Sequence, residues 1–295
     1  MGNVGLNAAL SGSFVAAAEH EHLFKFANNS PSFPYRRFSR LEQGKHLQNG
    51  ILALVDGLGE ILMAINILKH DRELASSVHT IATPERYHPV VRLLMPSANV
   101  VTPERLAPHT ELTYSSDLIF SHFQSGRALK PIQRLPQNSG RKLVGIAWRG
   151  GAGEVGKSGE GPRAASLESL LALLPAGDFT YVSLQYNITP EEKQLLSKQA
   201  AVKGTNFNVA KDHVNLLKLC SGMSGIVSVE GSSIHIAGQF GIPVLALMPP
   251  VAQFSDGWQW YLDSQFTPPY DRLRPCSREQ RAEAISAWLC DIGLL

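Results

Sequence analysis

This sequence predicts an α/β fold of two domains, each built on a parallel sheet. Three observations carry that expectation. From residue 49 onward, short apolar runs of strand length alternate with segments of helical spacing. Glycines interrupt the chain between strand and helix at Gly57 and Gly59, at Gly150 and Gly151, and at Gly231. A polar stretch rich in breakers, with Pro131, Pro136, Gln137, Asn138, Ser139 and Gly140, divides the alternation in two.

Residues 1–48 read as an N-terminal arm. Its Ala-rich part, 8–18, suits a helix, but Pro31 and Pro34 remove donors and fix the backbone, so no helix continues through them. The first domain spans 49–135. Residues 51–55 form an apolar run, residues 61–68 follow with helical spacing, and 78–82 read as a second strand. Pro84 suits the first turn of a helix over 85–94. Val100 with Val101, and Leu118 with Ile119 and Phe120, read as further strands. The second domain spans 141–275. It carries strands expected at 143–147, 179–184, 225–229 and 243–248, and helices at 166–174, 190–200, 212–221 and 232–240. The tail, 277–295, has helical spacing at Ala282, Ile285, Ala287, Trp288 and Leu289. In open parallel sheets ligands sit at the carboxyl ends of the strands, so with two such domains the expected site is the cleft between them.

Composition excludes several classes. Of 295 residues 44% are hydrophobic and 18% charged, enough to bury a large core, so general disorder is excluded. The net charge of +2, from 27 Lys and Arg against 25 Asp and Glu, gives no basic track for nucleic acid and no polybasic membrane anchor. The longest apolar segment, 51–68, is broken by Asp56, Glu60 and Asn66 and does not read as a transmembrane helix. Cys220, Cys276 and Cys290 are odd in number and far apart, which fits a reducing compartment better than a disulfide framework. The N-terminus lacks the basic and apolar regions of a signal peptide, and Leu6 breaks the myristoylation pattern. A soluble cytoplasmic protein is expected.

Three segments carry chemistry. The first is Asp56-Gly57-Leu58-Gly59-Glu60, between a strand and a helix. Glu60 falls in the first helical turn. There a carboxylate can take a proton from a hydroxyl nucleophile, or simply stabilise the helix N-terminus. The second opens at Trp148-Arg149-Gly150-Gly151 and holds six glycines between 150 and 161, with Lys157 and Arg163. A glycine-rich loop leaving a strand suits a diphosphate, cradled by backbone N–H groups and offset by cations; a mobile surface loop explains the same composition. It is not a Walker A loop, because Gly159 and Pro162 oppose a helix directly behind Gly156-Lys157-Ser158.

The third segment is the strongest. A buried strand at 226–229 runs into Glu230-Gly231-Ser232-Ser233, and a helix opens with Ile234-His235. That helix start offers free N–H donors and a positive dipole end. Gly231 admits a phosphate, Ser232 and Ser233 add hydroxyl donors, and Glu230 accepts bonds from ribose or sugar hydroxyls. His235 is either a ligand or a structural histidine. Gln185 and Tyr186 end a strand within reach of a base or sugar, and Trp258, Trp260 and Tyr261 either line a cleft or pack. No Asp-x-Asp and no His/Cys cluster implies a metal.

Several of these segments resemble glycosyltransferase family 9, which includes the ADP-heptose:lipopolysaccharide heptosyltransferases. They are Trp148-Arg149-Gly150-Gly151, residues 163–166, Val182-Ser183-Leu184-Gln185-Tyr186, and the run from Val227 through Glu230 and His235 to Gly241-Ile242-Pro243-Val244. The resemblance is closest to relatives fused to tetratricopeptide repeats, and extends to residues 56–68, Thr83-Pro84-Glu85-Arg86 and 93–101.

The resemblance implies a GT-B fold, two Rossmann-like domains across a central cleft, with the nucleotide-diphosphate sugar in the second domain and the acceptor in the first. It implies inverting transfer without a bound metal or other cofactor, and a final helix that can return to the first domain. Glu60 falls where the family has its proposed catalytic Asp. Glu230 falls where an Asp commonly lies, five residues before the His matched by His235. Trp148, Arg149, Gly150, Gln185, Gly231, Ser232, Ser233 and either Lys157 or Arg163 complete the implied donor site. The sequence departs from the family in carrying Glu at both acidic positions, in lacking the repeats, and in its short first domain.

The expected function is a glycosyltransferase acting from a nucleotide sugar on a saccharide, lipid-linked saccharide or protein acceptor, with no nucleic-acid partner. The alternative is a non-catalytic nucleotide-sugar-binding or assembly module on a degenerate scaffold. A sugar-nucleotide epimerase is the third reading.

Overall fold

The computed structural model describes residues 37–38, 47, 50–54, 57–107, 110–115, 118–119, 122, 129–132, 142–150, 164–248, 261–262, 265–266, 269–277 and 280–295. The chain divides into two units, Met1–Lys130 with Phe254–Pro269 and Pro131–Gln253 with Tyr270–Leu295.

In the first unit the strands are β1 (Arg37–Phe38), β2 (Ile51–Ala53), β3 (Thr80–Ala82), β4 (Asn99–Val101) and β5 (Glu111–Tyr114). All pair in parallel, in the order β1-β5-β2-β3-β4. Helices α1 (Leu58–His70) and α2 (Arg72–Ser77) connect β2 to β3, and α3 (His88–Leu94) connects β3 to β4. Helix α1 is buried along most of its length, from Leu58 to Leu68, because its residues are almost all apolar. Asn66 is its buried exception, and its amide Nδ2 donates to the Lys130 carbonyl at 2.8 Å. Asp71 ends α1 and caps α2, accepting from the Leu74 N–H at 2.9 Å.

The second unit holds β6 (Leu143–Ala147), α4 (Leu167–Leu173), β7 (Thr180–Ser183), α5 (Pro190–Ser197), β8 (Val202–Lys203), α6 (His213–Ser221), β9 (Gly225–Val229), α7 (Ser232–Phe240) and β10 (Val244–Leu247). A two-stranded antiparallel ribbon, β11 (Tyr261–Leu262) and β12 (Gln265–Phe266), falls in the segment grouped with the first unit. The chain then supplies the second unit's β13 (Leu273–Cys276) and α8 (Arg281–Asp291).

The six strands of this sheet lie in the order β13-β10-β9-β6-β7-β8, all parallel. Counted from β6 within its own unit, that is 3-2-1-4-5-6, the dinucleotide-binding order, with the switch point between β6 and β9. The first sheet repeats its beginning: β4-β3-β2-β5 is 3-2-1-4, with the switch point between β2 and β5. Strands β9 and β10 are buried at every residue, as a central parallel strand requires. Gly241 ends α7 in the left-handed conformation, φ 63°, and lets the chain turn at once into β10.

Three expectations are corrected. The first sheet begins inside the N-terminal arm, since β1 pairs with β5. Leu118 and Ile119 are helical, and the strand lies earlier, at Glu111–Tyr114. Polar residues at 115–117 directly before an apolar pair are a helix-start signal, and Thr113 with Tyr114 are good strand formers. The last helix, which the resemblance allowed to return to the first domain, is grouped with the second unit. Ile285, Trp288 and Leu289 of α8 pack into the second unit's core with Val144, Ile146, Leu167 and Leu170. Among the described residues no helix is long and apolar enough to cross a membrane.

Candidate functional site

The carboxyl ends of β7, β6 and β9 stand side by side in the second sheet. They release Gln185, then Trp148 to Gly150, then Glu230 to Ser233. The loops after β6 and β9 meet at the switch point, where a Cβ built on Gly231 would lie 3.7 Å from the Gly150 Cα.

The loop after β6 is fastened from the β7 side. Gln185 Oε1 accepts from the backbone N–H of Trp148 at 2.9 Å and of Arg149 at 2.8 Å. Its Nε2 donates to the carbonyls of Arg149 at 3.2 Å and Tyr186 at 3.1 Å. The Gln185 amide is thus engaged at both ends within the protein. Glu192 adds a second fastening. Its carboxylate accepts from Trp148 Nε1 at 2.6 Å, from both terminal nitrogens of Arg149 (the Nη2 bond at 2.9 Å), and from the Thr189 N–H at 2.9 Å. Arg149 Nη2 also donates to the Asn187 carbonyl at 3.0 Å. Asn187 has φ 52°, a left-handed conformation that asparagine tolerates better than most residues.

Trp148, Arg149, Gln185 and Glu192 are all buried. Burial pushes the Glu192 carboxyl up. The hydrogen bonds from Arg149, Thr189 and Trp148, with the Arg149 charge, outweigh that effect and hold it below the usual carboxylate range. The side chains of Trp148, Arg149 and Gln185, expected at the donor site, hydrogen-bond within the protein and hold the loop. Glu192 escaped the sequence reading. Thr189-Pro190-Glu191-Glu192 is a legible capping box, but its second partner lies 43 residues upstream.

The β9 loop is arranged differently. Gly231 is the N-cap of α7, with an extended backbone and no side-chain capping bond. A methyl group on it would make only ordinary contacts. Neither backbone strain nor crowding by the described residues calls for glycine there, which leaves the bare backbone open to close approach by a ligand. Ser228 Oγ donates to the Val229 carbonyl at 2.7 Å and lies 2.7 Å from Ser233 Oγ. Ser228 has one proton, so Ser233 is the donor in that pair. Ser233, expected as a hydroxyl donor to the ligand, donates to Ser228 in this structure; Ser232 beside it is half-buried.

His235 is buried one turn into α7, with Nδ1 3.1 Å from the Tyr270 hydroxyl and the two rings edge-to-face. Tyr270 lies against Gly238, where a Cβ would overlap its ring. Gly238→Ala is expected to displace Tyr270, loosen His235 and cost about 1–3 kcal/mol in urea unfolding. An unchanged midpoint would show that the ring yields freely. Glu230, which directly precedes the N-cap glycine of α7, is also buried.

In the first unit, Glu60 stands half-buried in the first turn of α1, at the third helical position. A Cβ on Gly57 would lie 3.0 Å from Glu60 Oε2, so the carboxylate reaches back over its own helix N-terminus, as acids at this position commonly do. Thr83 ties the neighbouring strand ends together, donating from Oγ1 to the Leu54 carbonyl at 2.7 Å. Asp56, Lys157, Arg163, Trp258 and Trp260 lie outside the described residues.

No known family model and no curated protein matches the sequence. Solved structures do. E. coli heptosyltransferase WaaC with ADP-2-deoxy-2-fluoro heptose matches at 11% identity and TM-score 0.51, over 82% of this chain and 99% of that one. E. coli ADP-heptose lps heptosyltransferase II matches at 12% identity and TM-score 0.51, over 82% and 98%. The glycosyl transferase family 9 structure from Veillonella parvula DSM 2008 matches at 12% identity and TM-score 0.49, over 87% and 94%. With two parallel sheets of Rossmann-like order, this chain has the GT-B-like fold of the E. coli heptosyltransferases.

Proposed function

We propose that the chain is a glycosyltransferase that takes a sugar from a nucleotide-diphosphate sugar to an acceptor hydroxyl, with inversion and without a metal. One observation carries the reading. At the switch point of a sheet in dinucleotide-binding order, α7 opens on a glycine N-cap without a side-chain capping bond, and the described residues do not require glycine there. Backbone N–H groups and the helix dipole there suit a diphosphate. The E. coli structures of the same fold carry or are named for ADP-heptose compounds, which supports the ligand class.

In the proposed reaction the acceptor oxygen attacks the anomeric carbon, and the bond from that carbon to the diphosphate oxygen breaks. Glu60 takes the acceptor proton. The charge gathering on the diphosphate is met by the N-terminus of α7, and by Lys157 or Arg163. Glu230 accepts hydroxyls of the donor, and His235, held by Tyr270, helps place the diphosphate. A soluble, cytoplasmic setting and an acceptor that is a saccharide, lipid-linked saccharide or protein belong to the same proposal. The alternative of a binding module without transfer rests on the glutamates at both acidic positions, Glu60 and Glu230, on the short first domain and on the missing repeats.

The test is thermal stabilisation by a panel of nucleoside diphosphates and nucleotide sugars. A ligand at a hundred times its Kd stabilises the folded state by about 2.7 kcal/mol. One nucleotide is expected to shift wild type and to lose its effect in Gly231→Ala, whose own stability should match wild type because the added methyl has room. A ligand shift that persists unchanged in Gly231→Ala removes the donor from this loop. With donor and acceptor in hand, Glu60→Gln should abolish turnover and leave donor affinity unchanged. Undiminished turnover removes Glu60 from the mechanism.

A further inference from the structure

We infer that Glu192, through Arg149 and Trp148, is the positioning residue that sets the backbone of residues 148–150 against Gly231 for a nucleoside diphosphate. The inference rests on the donor site proposed above and adds to it a residue on a different helix.

The loop leaving β6 must present backbone at a fixed place, because the switch point is formed by two strand ends whose loops touch. Nothing in β6 itself holds residues 148–150 once the strand has ended at Ala147. The holding groups come from the segment after β7 and from the first turn of α5. Gln185 takes the two N–H groups of Trp148 and Arg149, and Glu192 takes the two side chains. The Thr189–Glu192 capping box locks the Glu192 side chain to the start of α5, and the left-handed Asn187 turns its carbonyl toward Arg149. The same pair of loop residues receives the returning chain: the Ala165 N–H donates to the Trp148 carbonyl at 2.7 Å, and Arg149 forms a bridge with Ala164. Residues 148 and 149 are therefore fixed on both sides, and Gly150 is the next residue, at Gly231.

A carboxylate suits this task because four donors converge on its two oxygens. A glutamine of the same shape offers one oxygen and one NH2, and the NH2 would face a donor. Glu192→Gln should therefore release one arm of the fastening while leaving the core of the unit in place.

The experiment titrates ADP, GDP, UDP, CDP and dTDP into wild type, Glu192→Gln and Ile285→Ala by calorimetry, well below each melting temperature. Ile285→Ala truncates a core residue of α8 that makes none of the hydrogen bonds to residues 148–150, and controls for general loss of stability. Expected is a tenfold or greater loss of affinity in Glu192→Gln for the nucleotide that wild type binds, with Ile285→Ala unchanged. Equal affinity in Glu192→Gln and wild type overturns the inference alone. An equal loss in Ile285→Ala also overturns it, because the effect is then one of stability. Binding of none of the five by wild type overturns the donor-site reading and this inference with it. Should Glu192→Gln not fold, Arg149→Lys supplies the same comparison: its single ammonium cannot serve Glu192 and the Asn187 carbonyl in the fork geometry of arginine.

Discussion

Arg149→Met is expected to destabilise the second unit by about 3–5 kcal/mol, because it strands the buried Glu192 carboxylate without its charge partner. Urea unfolding at pH 7 measures it. Replacing both partners, in Arg149→Met with Glu192→Met, should recover part of the loss, since a buried pair removed whole costs less than one removed by half. Recovery stays incomplete because Trp148 Nε1 and the Thr189 N–H lose their acceptor. The pH dependence carries a sign. The Glu192 carboxyl is held below its ordinary value of 4.5 in the folded protein. Its contribution to stability is thus fully present above that value and is lost as pH falls through the lower folded one. In Arg149→Met the downward pull is gone, so the stability gap between wild type and variant should narrow below pH 4.5. A single substitution costing under about 1 kcal/mol, or a gap that widens on acidification, would show that the pair is not what holds this loop.

Trp288→Ala is expected to cost about 3–5 kcal/mol, the range for truncating a buried aromatic. Trp288 is 3% exposed and its α8 neighbours Ile285 and Leu289 are fully buried. The indole lies over Gly225, the first residue of β9, where a Cβ would come within 2.5 Å of Trp288 Cη2. Gly225→Ala should therefore be costly alone and much less so in the Trp288→Ala background. That non-additivity in urea midpoints is the decisive reading. Strictly additive losses would mean that the two residues do not share one packed space.

Much of the second unit was legible in its sequence. Strands β6 and β9 and helix α7 fall where expected, because central parallel strands are continuous apolar runs and glycines mark their ends. The less visible elements share a cause: their local sequence is weak and neighbours decide. Strand β13 contains Pro275, which argues against a central strand but is tolerated at the sheet edge that β13 occupies. Strands β1 and β8 have two residues each, too short to show any period. At the candidate site the sequence singled out the loops after β6 and β9, which the fold brings together, and did not show what several of their side chains hold. Arg149 looked like a phosphate cation and Gln185 like a base reader. No local pattern reveals that Arg149 meets an acid 43 residues away, or that the Gln185 amide closes on backbone 36 and 37 residues back.

The chain order of the second unit has a consequence for its biosynthesis. Strand β13 and helix α8 follow every other strand and helix of the unit in chain order, yet β13 covers the edge of β10 and α8 packs against the sheet. While the ribosome is still adding residues after 270, β10 presents an unpaired row of backbone groups and Val144, Ile146 and Leu245 lack part of their cover. A nascent chain in that condition has an open, apolar sheet edge, the feature most prone to pairing with another copy. Chaperone dependence of this protein should therefore be concentrated in the interval between synthesis of β10 and synthesis of β13 and α8.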